Sequence, residues 1–251
     1  MNVRRTLELI SQYEVKAKKK YGQNFLVDEK VINMIADTVE QGERVIEVGP
    51  GLGALTGALL EKCSKLTAYE IDGDLIEILN REYGCEKFTL LNRDFLKVQL
   101  PEEKSVLVSN LPYYITSDIL LKCFREKDRL KSMTVMMQKE AAAKFFSTRH
   151  EYGTLNILAD WYSDYRVVCT AGRHGFIPTP NVDSTVMEFV FNDRKADEDF
   201  IRFLDVCFSQ RRKLLSGNLK KAGYQLTRDL GNIRTEQLTA EELHQLYEEL
   251  R

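Results

Sequence analysis

From Arg44 to Phe191, short β-branched or apolar runs alternate with helical stretches, and the alternation predicts a mostly parallel sheet covered by helices. Seven strands are expected: RVIEVG, KLTAYEI, FTLLNRD, VLVSN, SMTVMMQ, RVVCTAG and TVMEFVF. The last two are joined by the loop GRHGFIPTPNVDS with no long helix between them, so they should pair antiparallel at the end of an otherwise parallel sheet. That arrangement differs from a standard dinucleotide fold. In the C-terminal part the period changes. DFIRFLDVCFSQRRKLLSGNLKKAGY and TAEELHQLYEEL space apolar residues three and four apart with no strand signal, which predicts a small helical domain. Thr239 followed by Glu242 is a capping-box signature for its last helix. The charged connector NDRKADED sets the boundary, giving units 1–192 and 193–251.

The 251 residues, 43% hydrophobic and 29% charged, suit an ordinary globular protein. No window is long and apolar enough to cross a bilayer, and the N-terminus has no cleavable signal pattern, so a cytoplasmic location with no membrane partner is expected. Cys63, Cys85, Cys123, Cys169 and Cys207 are scattered without a CxxC pair and only three histidines accompany them, so they read as buried reduced thiols and no metal is expected. A net charge of −2 weighs mildly against a nucleic-acid substrate. Cations are nevertheless concentrated in KAKKK (Lys16 to Lys20) and QRRKLLSGNLKK (Gln210 to Lys221). Each run reads either as a solvated face or as a phosphate contact.

VIEVGPGLGALTGALLEK is strand, glycine turn, helix, and Gly49, Gly51 and Gly53 let a ligand approach the backbone closely. The same residues satisfy a dinucleotide fingerprint, and Glu70 sits where an acid accepts from ribose hydroxyls in either NAD or S-adenosylmethionine. Three features favour the second ligand. Glu47 places an anion beside the turn, which repels pyrophosphate and suits an ammonium and a sulfonium. Asp94 closes the third strand, in position to accept from an adenine amino group. The third is NLPYYIT, Asn110 to Thr116, which ends the fourth strand across the crevice where open sheets place their ligands. The competing readings are that Asp94 caps the following helix and Glu70 pairs with a surface lysine.

An adenine amine is a poor nucleophile because its lone pair is delocalised into the ring. A site that methylates it must hold the nitrogen with acceptors that favour a tetrahedral centre and aim the lone pair at the methyl group. Asn110 supplies a side-chain oxygen. The Leu111 carbonyl, freed from sheet pairing by Pro112, supplies a second, and Tyr113 offers a stacking face. For Tyr114 the competing reading, a tyrosine packed in the core after a proline turn, is credible; it is weaker for the ordered set of four. Phe176, in a loop stiffened by Pro178 and Pro180, is the candidate for a second exposed aromatic surface against a flipped base; its competing reading is a hydrophobic plug between the last two strands.

Together these residues resemble the rRNA adenine N6-dimethyltransferases that include KsgA and the Erm resistance enzymes. The resemblance rests on YGQNFL (Tyr21 to Leu26), EVGPGLGALT, Glu70, Asp94, NLPYYIT, MMQKEAA, YGTLNI, FIPTPNVDS and QRRKLL, in family order along nearly the whole chain. GPGLG, MQKE, PNVDS and QRRK look like the KsgA branch, whereas Erm enzymes tend to show GTGKG, NIPY and PKVNS. The resemblance implies an α/β class I S-adenosylmethionine-dependent methyltransferase: a Rossmann-like seven-stranded sheet, last strand antiparallel, with a small C-terminal helical RNA-binding domain. It implies methyl-donor contacts from Gln23, Asn24, Leu26, Glu47, Gly49, Gly51, Gly53, Glu70, Asp94 and Asn110, with an N-terminal arm closing over the donor. Lys18, Lys19, Lys20, Arg211, Arg212 and Lys213 would meet RNA phosphates.

The implied reaction is dimethylation of two adjacent adenosines in a hairpin loop near the 3′ end of 16S rRNA, on a pre-30S particle, by a monomer. The short helical domain, AGRHG in place of a proline-rich lead-in and the acidic net charge depart from the family's pattern, and bear on RNA engagement more than on the catalytic centre. Four alternatives stay open: an Erm-like modifier of 23S rRNA, a DNA adenine methyltransferase, a ribosome-assembly checkpoint factor whose methylation is secondary, and a nicotinamide dehydrogenase.

Overall fold

A computed structural model describes residues 1–147 and 152–251, and of Lys19 the backbone alone. The chain runs α1 (Val3–Gln12), β1 (Phe25–Leu26), α2 (Glu29–Ala36), β2 (Arg44–Val48), α3 (Ala54–Lys62), β3 (Lys65–Glu70), α4 (Ile76–Tyr83), β4 (Phe88–Asn92) and β5 (Ser105–Asn110). It continues with α5 (Thr116–Arg125), β6 (Leu130–Gln138), α6 (Lys139–Ala143), α7 (Thr154–Tyr162), β7 (Ser163–Ala171), β8 (Phe176–Ile177), β9 (Ser184–Phe191), α8 (Glu198–Cys207), α9 (Leu215–Lys221) and α10 (Ala240–Leu250).

All seven expected strands form one sheet in the order β4-β3-β2-β5-β6-β9-β7. β2, β3, β4, β5 and β6 pair in parallel, and β9 returns antiparallel between β6 and β7. This is the arrangement expected of class I methyltransferases. The period-two rule distributes the core: along β5, Val106 and Val108 face α2 and α3 in a cluster with Val31, Ile35 and Leu55. Leu107, between them, joins the cluster on the other face with Ile119 and Phe124 of α5 and Ile157 of α7. Switching from strand to helix at Asn110 therefore leaves its amide at the sheet's C-terminal edge, half-buried.

The apolar cluster on the α5 and α7 face runs on through Phe200, Leu204, Leu243 and Tyr247, so the C-terminal helices share buried surface with the sheet. The charged connector is anchored: Asp197 caps α8 and accepts from the Tyr247 hydroxyl at 3.1 Å. The capping box of α10 forms as expected, with Glu242 N–H donating to Thr239 Oγ1 at 3.1 Å and Thr239 N–H to the Glu242 carboxylate at 2.7 Å. Cys63, Cys123 and Cys207 are buried as expected, Cys169 is half-buried and Cys85 is exposed. Among the described residues no helix is long and apolar enough to cross a membrane.

One pairing has no counterpart in the expected elements. β1 and β8 form a two-stranded antiparallel ribbon, Leu26 opposite Phe176 and Phe25 opposite Ile177, which ties the N-terminal arm to the loop before β9.

Candidate functional site

At the C-terminal edge of the parallel strands lies a cavity of about 330 Å³, a volume within the usual range for small-molecule sites. Its walls come from the arm (Gly22 to Leu26), the glycine turn, the ends of β3 and β5, and the Arg93 to Leu96 segment after β4. Gln23, Asn24, Leu26, Glu47, Gly49, Gly51, Glu70, Asp94, Asn110, Leu111, Pro112 and Tyr113 all line it, so one cavity gathers most of the candidate positions.

The glycine turn is built from left-handed residues. Gly49 has φ 65°, and a β-carbon built on it meets no heavy atom within 4 Å, so this backbone faces open space that a ligand can occupy. Gly53, φ 83°, has a different reason: a β-carbon there would run into the Tyr83 ring, so it serves packing and does not line the cavity. Gly51 donates its N–H to Glu70 Oε2 at 3.1 Å, and Asp72 N–H donates to Oε1 at 2.8 Å. The carboxylate of Glu70 is thus oriented by two backbone donors and is buried, while each oxygen keeps a lone pair for a ligand hydroxyl. Burial raises its pKa, opposed by those two N–H groups. No surface lysine pairs with it among the described residues.

Glu47 differs from its expected role as a standing anion. It is 1% exposed, accepts from Thr56 Oγ1 at 2.8 Å, and burial pushes its pKa up to about 8, the Thr56 bond lowering it and the nearby Glu70 charge raising it. Burial thus favours its neutral form. Asp94 caps the following turn, Oδ1 accepting from Leu96 N–H at 3.0 Å, and the residue also lines the cavity.

At the expected adenine clamp, Asn110 Nδ2 donates to the Asn24 carbonyl at 3.2 Å, which fixes the amide and leaves Oδ1 as its acceptor. Leu111 N–H continues the sheet to the Met136 carbonyl at 3.0 Å, whereas among the described residues nothing donates to the Leu111 carbonyl. The two expected acceptors are therefore both free. Tyr113 is half-buried, and its hydroxyl shares a hydrogen bond with Ser184 Oγ at 2.9 Å, pinning the ring. Tyr114, for which a core position was a credible reading, is instead 55% exposed and lies beside Gly22.

Phe176 requires correction. It is 2% exposed, is paired with Leu26 in the ribbon, and packs with Val31, Val108 and Met136. The ring has no free face for a base; the plug reading holds, because burying a phenyl ring beside two sheet strands is worth more than presenting it to water.

The cationic candidates also divide. Lys18 Nζ lies 2.6 Å from Asp72 Oδ1 and 2.5 Å from Asp74 Oδ2, and these bonds raise its pKa. Gln23 completes the knot, accepting from Lys18 N–H at 2.8 Å and donating to Asp72 Oδ2 at 2.8 Å. Lys18 and Gln23 are thus ties between the arm and the Glu70 loop, correcting a phosphate role for Lys18 and giving Gln23 a bracing one. Asp72, which the sequence reading missed, is the hub; its place two residues after Glu70 in EIDGD is the only local signal. Arg211 donates to the Tyr152 carbonyl at 2.6 Å. Arg212 and Lys213 are exposed, Lys20 is exposed beside the Tyr21 ring, and the side chain of Lys19 lies outside the described residues.

The donor set fits a nucleoside with a charged amino-acid tail: a paired-acceptor carboxylate for a ribose, an acidic cap at the adenine end, a backbone cradle at Gly49 and a buried, unpartnered Thr6 hydroxyl in the wall. Comparison with known proteins agrees. The family model described as ribosomal RNA adenine dimethylase matches residues 14–251. The ribosomal RNA small subunit methyltransferase A of Mycoplasmopsis pulmonis is 39% identical over 216 residues, covering 82% of this chain and 84% of the relative. Among solved structures, a dimethyladenosine transferase from Plasmodium falciparum has TM-score 0.74 at 22% identity, covering 88% of this chain and 95% of the other. The 23S rRNA methyltransferase ErmE has TM-score 0.65 at 28% identity, covering 90% and 99%.

Proposed function

The chain belongs to the ribosomal RNA adenine dimethylase family, and from that membership we propose that it dimethylates N6 of two adjacent adenosines in a hairpin loop near the 3′ end of 16S rRNA. The observation that carries the reading is the pair of free acceptors at the end of β5. Asn110 and Leu111 are adjacent residues that both line the cavity; the Asn110 amide is fixed through Nδ2 by the Asn24 carbonyl, and among the described residues nothing donates to the Leu111 carbonyl. Two acceptors on one amine draw its nitrogen toward tetrahedral geometry and orient the lone pair, which is the step an adenine amine cannot supply for itself.

S-adenosylmethionine supplies a methyl group on a sulfonium. The protein's share is positional. Glu70 holds a ribose, Asp94 takes an adenine amino group, and the arm closes the cavity through Lys18, Gln23 and Asp72. Tyr113, its hydroxyl held by Ser184, offers one face to the target base. No strong general base is needed, because the methylated amine is acidic and loses its proton to water. Arg212, Lys213 and Lys20 are the exposed cations available to RNA phosphates, and the helices of 193–251 form the RNA-binding part. The substrate is the small-subunit rRNA of a pre-30S particle, met in the cytoplasm by a monomer.

The test is methyl transfer from labelled donor to 30S and 50S subunits purified from cells lacking the modification, with wild type and Asn110→Ala. Transfer to 30S alone is expected, and Asn110→Ala should lower it by on the order of 100-fold while particle binding changes only a few-fold. Methylation of 50S, or an alanine variant with full transfer, refutes the assignment.

A further inference from the structure

We propose that Thr6 binds the charged amino-acid end of the methyl donor, making α1 a wall of the donor site; the proposal rests on the methyltransferase reading above. α1 lies outside the residues that the family model matches, which begin at 14. The helix is nonetheless firmly docked. Leu9 is fully buried in a cluster with Phe25, Leu52, Leu75, Ile78 and Leu79, Asn2 caps the first turn, and Arg5 pairs with Glu82 of α4.

Thr6 is fully buried and lines the cavity, and its Oγ1 has no hydrogen-bond partner among the described residues. A threonine inside a helix ordinarily bonds its hydroxyl back to the carbonyl four residues earlier. Here the Asn2 carbonyl accepts the Thr6 N–H at 2.9 Å but not the hydroxyl, which makes no such bond. An unpaired buried hydroxyl is unfavourable, so its presence in a cavity wall points to a partner that arrives with the ligand.

The identity of that partner follows from position. Leu9, one turn along from Thr6, shares its cluster with Leu52 of the glycine turn and with Phe25, whose ring lies against Gly51. α1 therefore covers the glycine-turn side of the cavity, while Glu70 and Asp94 mark the ribose and adenine positions. The ammonium and carboxylate are the donor's remaining polar groups, and a hydroxyl can accept from one or donate to the other.

Calorimetric titration of wild type, Thr6→Val and Thr6→Ser with S-adenosylhomocysteine and with 5′-methylthioadenosine, which lacks the amino-acid end, tests this. Thr6→Val should bind S-adenosylhomocysteine about tenfold more weakly and 5′-methylthioadenosine within about twofold of wild type, as for loss of one hydrogen bond to a charged group. Thr6→Ser should restore most of the loss, and the ligand-free melting temperature of Thr6→Val should be no lower than wild type. An unchanged affinity for S-adenosylhomocysteine overturns the proposal, as does an equal loss for both ligands or a fall in the ligand-free melting temperature. Wild type that binds neither ligand would instead sink the donor reading itself, a result distinct from a full-strength wild type with an unaffected variant.

Discussion

Replacing Glu47 by Gln should flatten the pH dependence of stability. In the ligand-free protein burial lifts this carboxyl from 4.5 to about 8, the Thr56 hydroxyl offsetting a part and the Glu70 charge adding to it. The folded chain therefore keeps a proton that the unfolded chain has already released, and between those two pH values stability falls as pH rises. The contribution is fully present below about pH 4.5, where both states are protonated, and is lost as pH passes through about 8. A shift of this size corresponds to roughly 5 kcal/mol, and at about 2–4 °C per kcal/mol for a chain of this length the loss in melting temperature is on the order of 10 °C. Gln is neutral at every pH, matches Glu in shape and can still accept from Thr56. Ligand-free thermal denaturation from pH 5 to 8.5 at fixed ionic strength should give curves that meet near pH 5, diverge steadily as pH rises from there and keep a constant separation above about pH 8, the Gln variant melting higher. A cationic ligand favours the carboxylate form, so donor binding near pH 7 should also release a proton from wild type and none from the variant. Parallel stability curves for the two proteins would refute the argument.

Lys18→Met should raise KM for the donor several-fold with kcat nearly unchanged, because it unties the arm from Asp72 without touching the Asn110 clamp; steady-state kinetics at saturating RNA measures the split, and an unchanged KM would contradict the tie. Phe176→Leu should keep transfer within a few-fold while Phe176→Ala costs about 3 kcal/mol of stability, read by denaturant unfolding; a Leu variant of normal stability that loses transfer on the order of 100-fold would return the ring to the active site.

The sheet was legible because its central strands carry their signal locally. β2, β5 and β6 are buried on both faces, so Val45 to Val48, Ser105 to Ser109 and Ser132 to Met137 read as nearly unbroken runs bounded by turn residues. The antiparallel return of β9 followed from a connecting loop too short for a crossover helix. The β1–β8 ribbon was not legible: each strand is two residues long, below any periodic signal, and its partners lie about 150 positions apart.

The site divides along the same line. Glu70, Asp94 and Asn110 could be placed on the cavity because each lies at or just after the C-terminal end of a strand, where the fold itself aims side chains at the crevice. What failed were the residues whose role is set by a distant partner. The KAKKK run looks like a patch of interchangeable cations, yet Lys18 meets Asp72, 54 positions on, at 2.6 Å. Phe176 follows the same rule, since its exposure is decided by Leu26, which no local pattern places opposite it. Lys18 belongs to the N-terminal arm and Phe176 pairs with it, and the Asn24 carbonyl that fixes Asn110 belongs to it as well. The cavity edge is thus written in the strands, whereas the arm packed over it is held by long-range polar ties that a linear reading reduces to charge and hydrophobicity.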